Sequence, residues 1–175
     1  RDVYERLGGF SKMRFGEDID FSIRIFKAGC RCRLFPEAWV WHKRRTDFRK
    51  FFRQVYNSGI VRINLYKKYP ESLKLVHMLP MVFTVGVLAM LLLCLVLLAV
   101  SPALAWVPLV PLVLYCVLIF VDSSCVNRSI KIGFLSIISA YIQLMGYGFG
   151  FIESWWKRCV RGKSEFSAFE KTFYK

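Results

Sequence analysis

The sequence predicts an α/β segment followed by an α-helical transmembrane region, and three observations predict it. Charge is unevenly spread over the 175 residues: positions 1–77 hold 18 Lys and Arg against 8 Asp and Glu, whereas positions 78–175 hold the remaining 8 and 4. In the first part, runs of helical period flank Cys30 to Phe35, where small or apolar residues alternate with Arg31 and Arg33 as in a strand. In the second, uncharged apolar runs at about 79–100, 104–121 and 132–152 are long enough to cross a hydrocarbon core of about 30 Å at 1.5 Å per residue. A hydrophobic content of 55% and a mean hydropathy of +0.39 exceed what a soluble domain carries.

Residues 2–7 read as the end of a helix stopped by Gly8 and Gly9, which reach positive φ without strain. Glu17 to Ala28 is a second helix with Asp20, Arg24 and Lys27 as its polar stripe. Ile19, Ile23 and Phe26 form one apolar face and Phe21 and Ile25 another, which predicts burial on most sides. Gly29 ends the helix, and Pro36 interrupts the strand before a short aromatic segment, Ala38 to Trp41, that leads into His42. From Thr46 as N-cap, a long helix runs toward Tyr66. It places Phe48, Phe51, Phe52 and Val55 on one side and turns Arg49, Lys50, Arg53 and Asn57 away. An apolar face opposite a basic one suits a helix in the membrane interface, where anionic headgroups add roughly 1 kcal/mol per nearby Lys or Arg. A soluble helix with a solvated charged face is the plainer alternative.

Ser101 and Pro102 turn the chain between the first two apolar runs, Pro108 and Pro111 interrupt the start of the second, and the third is rich in Gly and aromatic residues around Gly146 to Gly150. The positive-inside rule puts positions 1–77 and the Arg128/Lys131 loop in the cytoplasm. A third crossing would then put Lys157, Arg158, Arg161 and Lys163 outside. Either the third run crosses against the rule, or it is re-entrant or interfacial and the basic tail stays cytoplasmic. The expected organisation is 1–45 as the end of a folded domain, 46–77 as interfacial helix and linker, 78–153 as membrane helices and 154–175 as a basic tail. The chain opens at Arg1 in what reads as mid-domain, so an N-terminal portion is expected before it.

A formal net charge of +14 suits nucleic acid, anionic lipid or a phosphorylated substrate equally. The six cysteines are scattered, two of them (Cys94 and Cys116) inside apolar runs, which points away from a secreted disulfide framework and toward a reducing compartment. Cys30 and Cys32 lack a second pair at zinc-finger spacing.

Four pieces in order carry the chemistry: Leu7-Gly8-Gly9-Phe10, Gly16-Glu17-Asp18-Ile19-Asp20, Lys27-Ala28-Gly29-Cys30 and Phe35-Pro36-Glu37-Ala38-Trp39-Val40-Trp41-His42. Their order, spacing and residue types resemble the family 2 glycosyltransferases, bacterial membrane-bound enzymes of the GT-A type. The resemblance implies that the α/β segment is the C-terminal part of a GT-A nucleotide-sugar transferase domain. It also implies that the acidic pair opens a helix beneath the acceptor, with Asp18 as general base of an inverting transfer and Glu17 as the second choice. The chemistry fits, because a carboxylate at a helix N-terminus is held by free N–H groups and can take the proton of an attacking hydroxyl. Substrate contacts are implied at Gly8, Gly9, Phe10, Arg45, Arg53 and Gln54. His42 is implied near the metal or diphosphate, with Arg44 and Arg45 close behind to neutralise the leaving group.

Asp18-Ile19-Asp20 also spells D-x-D, but in the family the metal motif ends a strand far upstream. Asp20 reads instead as a helix-surface partner of Arg24, worth about 0.2 to 0.5 kcal/mol if exposed. Processive synthases of the family carry Q-x-x-R-W where this chain has Gln54 followed by Asn57 and Ser58, which favours single-sugar transfer. The expected partners are a nucleotide-sugar or lipid-phosphate donor, a lipid-linked or saccharide acceptor and membrane lipids, with a divalent cation, Mg or Mn, in the complete enzyme. The setting would be a multi-pass protein of the bacterial inner membrane, working at its cytoplasmic side in cell-surface polysaccharide or glycolipid synthesis. Nucleic acid is not expected, because the aromatics near Phe48 share one face instead of interleaving with Lys and Arg. The competing reading is a non-catalytic polytopic anchor in which the two carboxylates only cap a helix.

Overall fold

The computed structural model describes residues 1–13, 15–42 and 47–164. Their regular structure is helical: α1 (Asp2–Arg6), α2 (Glu17–Lys27), α3 (Phe48–Lys68), α4 (Leu79–Val100), α5 (Val110–Asn127) and α6 (Ile130–Trp155). Short 3₁₀ turns occur at Pro70–Ser72, Leu75–His77, Pro102–Leu104 and Val107–Leu109, and one π turn at Trp156–Val160.

The expected α/β fold is not adopted: no strand forms among the described residues. Cys30 to Phe35 and Ala38 to Trp41 are irregular backbone, with Leu34 and Trp41 88% and 92% exposed. Alternating side chains prepare the faces of a strand but supply no neighbour, and a strand's N–H and C=O groups need a paired chain to become a ladder. The expected burial of α2 is also corrected. Asp20 is its one buried residue and Phe26 is 63% exposed, while Ile19 and Ile23 pack toward Ile60 and Val61 and Phe21 packs on Tyr4 and Phe10, each only partly covered.

Helix α3 is the pivot. Asp47, one residue beyond the expected Thr46, is its N-cap, and its carboxylate accepts the N–H groups of Arg49 (2.7 Å) and Lys50 (3.0 Å). These bonds to the charged form hold the Asp47 carboxyl below the usual range. Thr46 itself lies outside the described residues. One side of α3 forms a small core from Ile60, Val61 and Leu65 with Met13, Phe15, Ile19 and Ile23. Its other side meets α6 backbone to backbone. A Cβ on Gly59 would lie 2.2 Å from the Tyr147 carbonyl oxygen, and one on Gly150 would lie 2.0 Å from that of Tyr56.

Helix α6 touches α3, α4 and α5. Gly148 faces Thr84 and Pro80 of α4, Gly133 faces Phe120 and Ser124 of α5, and the Ser123 and Ser136 hydroxyls are 2.6 Å apart. The pairs Val55 with Gly146, Tyr56 with Gly150 and Ile60 with Ser154 ascend together, so α3 and the end of α6 run side by side in the same direction. The Tyr56 hydroxyl donates to Glu153, which also pairs with Lys157 at 2.6 Å. Lys157, the first basic residue after α6, is thereby joined through Glu153 to Tyr56 of α3.

Three segments, Leu79–Val100, Pro102–Asn127 and Ile130–Val160, are long and apolar enough to cross a membrane. Their large side chains point outward, as with Leu92 and Leu95. That is compatible with a membrane protein, since lipid tails solvate leucine as readily as another helix does.

Candidate active site

The site is built from the acidic turn upward. Gly8 and Gly9 take φ of +74° and +65°, as their sequence predicts, and stop α1. Arg24 then bolts this turn to α2, its guanidinium donating to the carbonyls of Leu7 (2.5 Å) and Gly9 (2.5 Å) and to the Asp20 carboxylate (3.0 Å). Phe10 is not at a cleft but in a ring cluster, 5.9 Å from Tyr4 and 5.3 Å from Phe21.

Asp20 does pair with Arg24, but it is fully buried and not on the helix surface. Its other oxygen receives Lys68 at 2.5 Å and the Tyr69 hydroxyl at 3.0 Å, joining the start of α2 to the end of α3. Burial alone would raise this carboxyl, but the bonds from Lys68 and Tyr69 to its charged form prevail and hold it below the usual range. Lys68 is correspondingly raised: its own burial acts downward and the Asp20 charge outweighs it. With both oxygens engaged by protein donors, Asp20 is an anchor.

Gly16 starts α2 in the left-handed region at φ +81°, where a Cβ would lie 2.4 Å from Val61 Cγ1, so the first turn of α2 lies directly on α3. Between them opens a cleft of about 370 Å³. Asp18 forms part of one wall, Lys50, Arg53, Gln54, Asn57, Ser58 and Arg62 of α3 form another, and Tyr147 of α6 closes the far side. Asp18 is exposed and pre-oriented, with Oδ1 accepting the Ile19 N–H at 2.8 Å. Glu17 does not line the cleft. Asn57, expected to face solvent, is 6% exposed, because it turns inward between α2 and α6. Its Oδ1 is buried without a hydrogen-bond partner, and the Arg62 guanidinium reaches the Tyr147 hydroxyl beside it.

The structure thus brings Asp18, Arg53 and Gln54 to one cavity and leaves Gly8, Gly9 and Phe10 outside it, where they shape the turn that carries α2. His42 is exposed on irregular backbone, and no three His, Cys, Asp or Glu side chains gather to hold a cation among the described residues. The donors present there do not fit a divalent-ion site. Arg45, like Arg44, lies outside the described residues.

A family model described as glycosyl transferase family group 2 matches residues 1–121, well over half of the chain. The chain belongs to that family. It is also similar to a probable glycosyltransferase, YdaM, of Bacillus subtilis (strain 168), at 32% identity over 54 residues, which are 31% of this chain and 13% of that relative. The chain thus matches well under two thirds of that relative's length. No solved structure matches it.

For a family 2 glycosyl transferase chain, the α3 wall was readable in part. Lys50, Gln54, Ser58 and Arg62 recur every four residues and so form one stripe. Sequence reading stopped at Gln54 and missed Arg62. Tyr147 arrives from another helix, and nothing in its local sequence marks it.

Proposed function

We propose that this chain carries the acceptor side of an inverting glycosyl transfer from a nucleotide-activated sugar, with Asp18 as general base. The observation that supports it most is that Asp18, of the acidic pair, shares one cleft with Arg53 and Gln54 of α3. In that transfer the acceptor hydroxyl oxygen bonds to the anomeric carbon while the bond from that carbon to the donor diphosphate breaks. Asp18 takes the hydroxyl proton and the nucleoside diphosphate leaves with the bonding electrons. A carboxylate that is exposed and already oriented by a backbone N–H suits this task, which contributes about 10² to 10⁴ in rate. Mg or Mn would accompany the diphosphate of the complete enzyme. The described residues offer it no ligand set, and none of these steps is routed through it.

The three apolar segments favour a membrane setting, with α3 at the interface and the cleft on its side. The link from Lys157 through Glu153 to Tyr56 of α3 supports a reading in which both basic regions share one side, which satisfies the positive-inside rule if that side is cytoplasmic. Asn57 and Ser58 line the cleft where processive relatives would carry Arg and Trp, which favours addition of single sugars in surface polysaccharide or glycolipid synthesis.

The test is sugar transfer from a panel of radiolabelled nucleotide sugars by membranes carrying the full-length protein. Asp18→Asn should lower transfer about 10² to 10⁴-fold with expression and insertion preserved. Equal transfer in both would move the base to Glu17 or remove this turn from the chemistry.

A further inference from the structure

Helix α3 is pinned at its far end, where Lys68 and Tyr69 meet the buried Asp20. Its cleft-lining residues, from Lys50 to Arg62, all precede that pin. Beside them the α6 backbone closes on α3 at Gly146 and Gly150. Close packing sets how near two helices lie, whereas a hydrogen bond, which weakens steeply as its angle opens, also sets their rotation. One such bond is made by Tyr56, whose hydroxyl donates to Glu153 of α6. It is nearer to the start of α3 than the bond from Ser154 to the Ile60 carbonyl or the reach of Arg62 to Tyr147. Burial, and then the Glu153 carboxylate, hold the Tyr56 phenol above its ordinary range, so it remains the donor.

Glu153 is the one carboxylate of Ile130–Val160, and it follows the uncharged run 132–152, where an ionised group is costly to keep. One of its oxygens receives Lys157 at 2.6 Å and the other receives Tyr56. Arg53 and Asn57 stand about 60° and about 100° round the helix from Tyr56. The rotation that brings Tyr56 to Glu153 therefore also turns these two residues into the cleft that Asp18 borders. Resting on the reading of that cleft as the acceptor side of the transfer, we propose that Glu153 is a positioning residue for it. Through Tyr56 it fixes the rotation of the first half of α3, and with it the wall against which the acceptor hydroxyl is presented to Asp18. Glu153 itself touches no reacting atom.

The test uses full-length protein: amide hydrogen exchange and melting temperature in detergent, and transfer in membranes from the nucleotide sugar that the wild type uses. Tyr56→Phe keeps the ring beside Phe52, 6.0 Å away, and removes only the hydroxyl. It should speed exchange at 50–58 about tenfold and leave 63–68, beside the Asp20 pin, unchanged. It should also lower kcat about tenfold at an unchanged KM for the nucleotide sugar, because the donor lies outside this wall. Glu153→Ala should do the same, and the double variant should be no worse than either single one, since both remove one link. Glu153→Gln keeps a carbonyl oxygen for the Tyr56 hydroxyl and should recover kcat to within about threefold of the wild type. Asp18→Asn should lose transfer while exchange stays at the wild-type rate, so a failure of the base assignment is seen separately. Wild-type kcat or unchanged exchange at 50–58 in both Tyr56→Phe and Glu153→Ala would overturn the proposal and leave the reading of the cleft standing. Additive losses in the double variant, or a fall in kcat that only tracks a lower melting temperature, would overturn it too. No transfer by the wild type from any nucleotide sugar would sink the reading and the proposal together.

Discussion

The two sides of α3 are held by opposite means. Toward the N-terminal turns, position is set by charge: a buried Asp20 gathers Arg24, Lys68 and Tyr69. Toward α6 it is set by the absence of side chains, with Gly59 and Gly150 letting two backbones touch. The difference is the one a membrane setting for α4 to α6 would produce. In water, apolar burial supplies the drive and polar pairs fix the geometry. Between helices bordered by lipid no such drive exists, so close packing and a few hydrogen bonds must serve. The cleft lies along the seam between these two regimes, which is how a base on α2 comes to face a tyrosine on α6.

The sharpest way to break the comparison is to give the α6 side a methyl group. Gly150→Ala puts a Cβ 2.0 Å from the Tyr56 carbonyl oxygen, a backbone atom that cannot swing aside. Alanine gains about 1 kcal/mol in helix propensity, yet overpacking should outweigh it and lower stability by about 3 kcal/mol. Gly86→Ala on α4 is the matched control, since nothing lies within 4 Å of its Cβ. It should be neutral or stabilise by up to about 1 kcal/mol. Thermal unfolding of the full-length protein in detergent separates the two, and equal melting temperatures would show that α3 and α6 do not meet backbone to backbone.

The charged side gives the next largest effect. Asp20→Asn leaves Arg24 and Lys68 without their anion. Breaking a fully buried pair destabilises by about 3–5 kcal/mol, and because Lys68 is 44% exposed the expected loss is nearer 2 kcal/mol. The pH dependence follows from the directions of the shifts. Asp20 titrates lower in the folded chain than its ordinary 3.8, so its contribution is complete above that value and fades as pH falls through the depressed one. Lys68 titrates higher than its ordinary 10.5, so its share is complete below that value and is lost as pH rises through the raised one. Between these limits the contribution is flat; below the acid limit, unfolding followed against pH should lose its slope in Asp20→Asn. An unchanged acid limb would mean the pair does not form.

How much of this was legible depended on whether the cause was local. The first apolar segment was read to the residue, Leu79–Val100, because a long uncharged run bounded by turn residues contains its own reason to be a helix. The next helix begins at Val110 and not near 104, because Pro102 and Pro108 open 3₁₀ turns that an apolar count cannot see. Asp18, which lines the cleft, was singled out by the motif that carries it, but the burial of Asp20 was not. Its cause is Lys68 and Tyr69, 48 and 49 positions away. The strand at Cys30 failed for the same reason, since pairing is a property of two segments and the alternation described only one.

The smallest test concerns the few polar contacts on the apolar side. Thr84 is fully buried, and its hydroxyl donates to the Pro80 carbonyl of its own helix at 2.8 Å and reaches that of Leu144 on α6 at 3.4 Å. Thr84→Val keeps the shape and removes the hydroxyl. Hydrogen bonds between membrane helices average about 0.6 kcal/mol, because carbonyls and hydroxyls find other partners when helices separate. The interhelical bond here is long, so the loss should not exceed that. A loss of 2 kcal/mol or more, well above the about 0.6 expected, would mean that the α4 and α6 contact depends on polar anchoring as α2 and α3 do. The contrast between the two sides of α3 would then be one of degree, and the cleft would owe its shape to charge and hydrogen bonding throughout.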